Sequence, residues 1–336
     1  MQNKYKDVEY CGVDKSVVNS VRPRFYDEAI KVLNYYIKER YAIHIKKDVL
    51  KLKQPYTNDK LLSVYKFTNI RREHDKNSKW LIDNISNNNN LSFEDKIYKS
   101  ILYRIYNRNE TAEIIDLVNI NFSDDSWLEK ACNRITEFLK DNQGYRFYTN
   151  AYKCGGVKRG LYSSFPESSH YNYSPLYFIK DCISNNFHED LVNCNTQEEV
   201  FNLLKSVNGF GRFIAYQIFV DLTYIKEFPF SENEFTVAGP GCYYGLQLLT
   251  GKDSEDSGFN GMSSEEIIFW MRNNLVEEFN RRDLEFDPDK VFIDLPKEDR
   301  KFNVMSLENI MCEFSKYYSI YSGIRKGRMK YVPGRS

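Results

Sequence analysis

The sequence predicts a mainly α protein in two lobes, and three observations carry that expectation. Apolar residues recur at helical spacing along most of the 336 residues. Runs that alternate apolar and polar residues, the mark of half-buried strands, are scarce. A glycine-, serine- and tyrosine-rich stretch, CGGVKRGLYSSFPESSHYNYSP at 154–175, interrupts the helical rhythm near the middle of the chain. It sets the expected division into an N-terminal helical lobe over 1–160 and a second lobe over 161–336, ending in a helix and a basic tail; one integrated domain is the alternative.

The first helix is expected in PRFYDEAIKVLNYYIKER. There Phe25, Ala29, Val32, Leu33, Tyr36 and Ile37 form one stripe, Pro23 stands near the start, and Asp27 and Glu28 lie in the first turn. The asparagine run SNNNNLS at 86–92 reads as a loop. Beyond it, Ile97, Ile101, Leu102 and Ile105 mark a second stripe, and Trp127, Leu128, Ala131, Ile135 and Phe138 a third. Thr196 with Glu199, and Ser263 with Glu266, are spaced as capping boxes that open two further helices. LENIMCEFSKYYSIY supplies the helix near the C-terminal end.

Composition bounds the function. With 42% hydrophobic and 15% aromatic residues the chain can bury a sizeable core. Its apolar runs are far shorter than the roughly 20 residues that cross a bilayer, and its opening residues carry no apolar region of the signal-peptide kind, so no membrane partner is expected. The seven cysteines are scattered and odd in number and the four histidines are dispersed, so no zinc cluster, other metal site or disulfide framework is legible. The 47 basic residues balance the 47 acidic ones, which as a total points to no nucleic acid. The distribution says more: no acidic residue follows Glu313, whereas Lys316, Arg325, Lys326, Arg328, Lys330 and Arg335 do, and a second basic region runs from Lys46 to Lys79. No GxxxxGK[ST] motif occurs, so the chain is not a nucleotide kinase of that type.

VNGFGRFIAYQIFVDL at 207–222 is the sharpest local signal. A helix-hairpin-helix joins two helices by a glycine-containing turn and starts the second with outward-facing backbone N–H groups that hold a phosphate. Val207 and Phe210 serve as apolar anchors, Gly209 and Gly211 form the turn, Arg212 stands beside the phosphate position, and TQEEVFNLLKS supplies the first helix. A plain turn would use the same glycines. In the helix-hairpin-helix DNA glycosylases an acidic catalytic residue follows some twenty positions beyond the hairpin. FSENEFTVAGPG offers Glu232 and Glu234 there, glutamates in place of the usual aspartate. The fold expected is therefore a two-lobed helical one of the helix-hairpin-helix DNA glycosylase-like kind.

Taken together, YKFTNIRREHDKNSKWLIDNI, ENEFTVAGPGCYYGLQLL and SLENIMCEFSKYYSIYSGIRKGRMKYVP resemble the α-glutamyl/putrescinyl thymine pyrophosphorylases, or amino acid:DNA transferases. This helical domain is also found fused to 5-hydroxymethyluracil DNA kinases of bacteriophages. The resemblance implies an enzyme that acts on a flipped base in duplex DNA. An amine, from an amino acid or a polyamine, replaces the pyrophosphate of 5-pyrophosphoryloxymethyluracil and leaves a hypermodified thymine. It also implies a cytoplasmic protein in a bacterial or phage-infected cell, or a nuclear one in a eukaryote.

Such chemistry needs a base pocket, cations for the leaving pyrophosphate and a base that deprotonates the amine. Within the motifs, Phe67, Trp80, Phe235, Tyr243, Tyr244, Tyr317 and Tyr318 are candidates to stack on the base, although most of the 26 Tyr and 23 Phe must simply be core. Asn69, Arg71, Arg72, Asp75, Gly239, Gly241 and Glu313 are expected to bind substrate or pyrophosphate, with AGPG at 238–241 as a tight turn. Glu232, Glu234 and Lys316 are the expected catalytic residues; the alternative for the cations is ion pairing with Glu73, Asp75 or Glu313. Cys312 could add as a thiolate to C6 of the ring or simply be buried. Mg²⁺ could accompany pyrophosphate, but no carboxylate cluster in the sequence commits to it and no other cofactor is implied. An N-glycosylase that excises a modified pyrimidine, and a non-catalytic DNA-binding module, stand as the other readings.

Overall fold

The computed structural model describes residues 12–149, 171–251, 259–327 and 330. The stretch 154–170, the expected boundary at 160/161, and Arg328 and Arg335 of the basic tail lie outside the described residues. Among the described residues the secondary structure is helical, with a single isolated bridge between Tyr65 and Lys330 outside it. The mainly α expectation holds.

The chain forms two compact units. One is built from both ends, Met1–Asp75 with Phe235–Ser336; the other is the segment between them, Lys76–Glu234. This differs from a cut at 160/161, and the reason is packing. Helices from both sides of the 154–175 stretch, separated by its composition, bury their stripes against one another within the middle unit.

The first unit begins with α1 (Lys15–Ser20), whose Ser16 N–H is capped by the Asp14 carboxylate at 2.8 Å, and α2 (Asp27–His44). The expected stripe of α2, Ala29, Val32, Leu33, Tyr36 and Ile37, is buried throughout.

The middle unit follows, as α3 (Lys76–Leu81), α4 (Phe93–Tyr106), α5 (Asn109–Ile114), α6 (Trp127–Asp141), α7 (Ser174–Ser184), α8 (Phe187–Val192), α9 (Gln197–Ser206) and α10 (Arg212–Leu222). Here α4 packs against α7 and α10, and Arg104 of α4 grips Asp221 of α10 with two hydrogen bonds of 2.5 Å. Both side chains are buried. Removing either partner would strand a charge away from water, at a cost of about 3–5 kcal/mol. Of the expected capping boxes only one is complete. Thr196 accepts the Glu199 N–H, but the Glu199 carboxylate reaches the N–H of Asn195 rather than returning to Thr196.

The chain then re-enters the first unit as α11 (Pro240–Thr250), α12 (Ser264–Asn280), α13 (Pro288–Val291) and α14 (Val304–Tyr321). Ser263 and Glu266 make the complete capping box of α12. The core of this unit joins Leu33 and Ile37 of α2, Leu246 and Leu249 of α11, Ile267 and Met271 of α12, and Leu307, Met311 and Phe314 of α14. Helices α11 and α14 run unusually close because glycines face the contact. A Cβ on Gly245 would come 2.1 Å from the Met311 carbonyl oxygen, and one on Gly241 2.5 Å from Cys312 Sγ.

Candidate functional site

The segments 67–75, 235–241 and 308–316, far apart in sequence, meet inside the first unit around a group of buried charges. Glu265, Glu308, Glu313, Arg71 and Arg72 each have less than a tenth of their surface exposed, and Asp75 stands half-buried beside them. So many ionisable groups survive burial only if each meets an opposite charge or an N–H donor.

The donors come mostly from backbone. Glu308 on α14 accepts the N–H of Gly239 at 3.1 Å, Glu265 on α12 accepts that of Ala238 at 2.9 Å, and Glu313 accepts that of Thr68 at 3.1 Å. Asp75 folds back to accept the N–H of Asn69 at 2.8 Å, while the Asn69 side chain donates to the His74 carbonyl at 2.7 Å. Asn309 closes the frame by donating to the Asn69 carbonyl at 3.0 Å. Helix α14 thus presents Glu308, Asn309, Cys312, Glu313 and Lys316 at spacings that share one face.

Burial pushes the Glu308 carboxyl up to about 7. The nearby Glu265 and Glu313 add to the rise, against the pull of the Gly239 N–H and Arg72. Burial likewise lifts Asp75 to about 6, opposed by the Asn69 N–H, Arg40 and Arg72. A carboxyl near neutrality can both accept and return a proton at physiological pH, which suits a general base. Burial, with Glu308 and Glu313 beside it, drives the Cys312 thiol far above its ordinary range, so the structure favours the packed cysteine over the thiolate.

The cations are largely engaged. Arg71 donates to Glu73 at 2.6 Å and to the Lys301 carbonyl at 3.0 Å. Lys316 pairs with Glu313 at 2.5 Å and lies 5.5 Å from the Phe67 ring centroid. The ion-pair alternative therefore describes both residues as they stand. Gly239 is the N-cap of α11 with Pro240 in its first turn, so AGPG is a helix start rather than a free-standing turn. Its first amide is taken by Glu308. Gly241 serves helix packing. The rim is half-exposed at Gly239, Gly241, Tyr243, Tyr244 and Lys316.

Glu232 and Glu234 fall within the middle unit, at its end. Glu234 is exposed and accepts a hydrogen bond from the Gln197 side chain at 3.0 Å. Several aromatic candidates are structural. Trp80 stacks on Tyr103 at 4.9 Å, Phe67 and Tyr317 pack with Tyr36, and the Tyr317 hydroxyl donates to Asp59 at 2.7 Å. A concavity of about 820 Å³ lies in the middle unit beside Glu113, Asp116, Lys130 and Arg134. It is shallow and its charges pair with surface neighbours, Arg134 with Asp116 at 2.8 Å and Lys130 with Asp124 at 2.5 Å.

In the middle unit α9 and α10 pack on each other across the turn 207–211. Gly209 takes a φ of 88°, open to glycine without strain. The Phe210 N–H donates to the Val207 carbonyl at 3.0 Å, and the buried Phe210 ring meets Phe178 edge-on at 5.2 Å. Gly211 is the N-cap of α10, and a Cβ there would meet nothing within 4 Å. Arg212 opens the helix.

Sequence reasoning missed Glu308, Glu265 and Arg40. Glu308 was accessible as the acidic member of the buried face of SLENIMCEF, whereas Glu265 looked like an ordinary first-turn acid of a capped helix. One further grouping of possible ligands, His44, His74 and Asp294, also lies in the first unit.

Comparison with known proteins gives a consistent placement. Residues 27–323 match the family described as the helical domain of 5-hmdU DNA kinase. A 5-hmdU DNA kinase of Bacillus phage SP10 is 26% identical over 299 residues, which are 84% of this chain and 44% of that protein. The chain thus spans less than half the length of the relative it matches. No solved structure matches the chain significantly.

Proposed function

The chain belongs to the family of the 5-hmdU DNA kinase helical domain, and from that premise we propose that it modifies a thymine derivative in duplex DNA by exchanging pyrophosphate for an amine. The substrate is 5-pyrophosphoryloxymethyluracil and the donor an amino acid or polyamine. What supports this reading most is the meeting of the three motif segments around Glu308, a buried carboxyl lifted to about 7 beside arginine.

In this scheme the amine nitrogen bonds to the exocyclic carbon of the base. The C–O bond to pyrophosphate breaks, its electron pair leaves with the pyrophosphate, and the proton shed by the nitrogen passes to the Glu308 carboxylate. Asp75, lifted to about 6, is the second acceptor in reach of the same charges. Arg72 stabilises the developing negative charge, and Lys316, half-exposed at the rim, takes the same role by exchanging Glu313 for the leaving group. This assignment moves the general base from Glu232 and Glu234 to Glu308. The turn 207–211 and the start of α10 carry the features a phosphate-gripping hairpin needs, so DNA backbone binding is assigned to the middle unit.

The test is incubation of the protein with duplex DNA containing 5-pyrophosphoryloxymethyluracil, amino acids and polyamines, with and without Mg²⁺, followed by mass spectrometry of the nucleosides. An amine adduct with release of pyrophosphate is the expected result. Abasic sites would replace this reading by base excision, and unchanged DNA with salt-sensitive binding would replace it by a binding module.

A further inference from the structure

We propose that His44, His74 and Asp294 bind one divalent transition-metal ion, which ties the segment carrying Arg72 and Asp75 to α2 and to the turn after α13. The three residues lie 30 and 220 positions apart in sequence, yet one ligand atom from each falls within 4.8 Å of the others.

Hydrogen bonding alone does not hold His74 in this cluster. His44 has Asp48 at 3.1 Å from Nδ1 and Asp294 at 3.1 Å from Nε2, so both ring nitrogens face carboxylates. A neutral imidazole has a single N–H and can donate to only one of them, whereas a protonated ring donates to both. His74 stacks on His44 with ring centroids 4.0 Å apart, and its Nε2 stands 3.8 Å from the same Asp294 oxygen, beyond hydrogen-bond range. Its Nδ1 is buried with no hydrogen-bond partner. A cation between His44 Nε2, His74 Nε2 and Asp294 Oδ2 would draw both imidazoles and the carboxylate onto one charge.

The surroundings have the form of a metal site's outer layer. Asp48 on His44 Nδ1 gives a carboxylate–histidine pair that selects the tautomer with Nε2 free for a metal. Tyr41 donates to Asp294 Oδ1 at 2.5 Å, which turns Oδ2 toward the two imidazoles. Two nitrogen donors with one carboxylate favour zinc and its first-row neighbours over Mg²⁺ or Ca²⁺, which prefer all-oxygen shells. Ligand atoms about 2.0–2.1 Å from the ion lie roughly 3.4 Å apart, so the widest gap needs to close by no more than about 1.5 Å. His74 and Asp294 keep 15% and 14% of their side-chain surface exposed, which leaves an entry path.

The experiment strips the untagged protein with chelator, reloads it with Zn²⁺ or Co²⁺, and measures bound metal by elemental analysis, the Co²⁺ form also by visible absorption. One ion per chain is expected, with a raised unfolding temperature. His74→Gln and Asp294→Asn should abolish binding, Asp48→Asn should weaken it by about 10–100-fold, and His188→Gln should leave it unchanged. If a variant does not fold, the shift in unfolding temperature of the wild-type protein on adding Zn²⁺ still reads the site. No bound ion in the wild-type protein, equal binding in His74→Gln, or displacement of Zn²⁺ by equimolar Mg²⁺ would overturn the proposal.

Discussion

Glu308 on α14 accepts the backbone N–H of Gly239, the N-cap of α11, at 3.1 Å, so a buried carboxylate sits at a helix N-terminus, where negative charge is favoured. The contact ties the motif around 235–241 to the motif around 308–316. It also separates the observed role of Glu308 from the proposed one, since accepting this N–H needs only an oxygen, whereas taking a proton from an amine needs a carboxylate.

Glu308→Gln should therefore keep the fold and lose the chemistry. Its amide oxygen still accepts from Gly239, and the rate of amine-adduct formation should fall by roughly 10²–10⁴-fold. Glu232→Gln and Glu234→Gln should retain near wild-type rates. Full activity in Glu308→Gln, followed by nucleoside mass spectrometry, would remove the carboxylate from the mechanism.

The same carboxyl makes stability depend on pH. Its value rises from 4.5 to about 7 on folding, so between those limits the folded state binds the proton more tightly than the unfolded chain. The sign follows: stability is greatest below the lower limit and declines as pH climbs through the upper one. The loss from this group is on the order of 3 kcal/mol. Asp75, raised from 3.8 to about 6, acts in the same direction over a lower window. Urea midpoints for wild type and Glu308→Gln should converge toward low pH and separate above neutrality, with the variant the more stable.

Gly245→Ala tests the close approach of α11 and α14. The added methyl would lie 2.1 Å from the Met311 carbonyl oxygen, and that backbone cannot yield without parting the helices. Urea denaturation should show a loss of about 1–3 kcal/mol. At Gly239 the nearest atom is the Glu308 carboxylate at 3.3 Å, a side-chain end that can shift, so Gly239→Ala should cost less.

The hairpin glycines should separate in the opposite sense. Gly211→Val places its side chain in open space and should leave the unfolding midpoint unchanged, while blocking the approach of a phosphate to the start of α10. Gly209→Ala forces a side chain to a φ of 88° and should cost about 1 kcal/mol or more of stability. Titration of labelled duplex DNA checks both. Unchanged affinity in Gly211→Val would mean that the turn does not hold DNA.

The helices were legible because burial imposes a period. The stripe of α2 and the complete capping box at Ser263 and Glu266 stand where the spacing placed them. The unit boundary was not legible, since the change of composition at 154–175 says nothing about which stripes bury against which. Arg71 and Lys316 show the same limit. Their positive charge was readable, but their engagement with Glu73 and Glu313 depends on distances of 2.6 and 2.5 Å that spacing does not determine.

By itself the sequence determined the helical class, the glycine turn between α9 and α10 and the family to which its motifs point, because periodicity, turn glycines and local motifs are properties of neighbouring residues. Only the tertiary structure decided that Glu308, Glu265, Asp75 and Arg72 share one buried environment, and that His44, His74 and Asp294 meet. Burial and charge proximity shift a carboxyl or assemble a ligand set, and both arise from residues up to 250 positions apart, as between His44 and Asp294, where no local pattern records them.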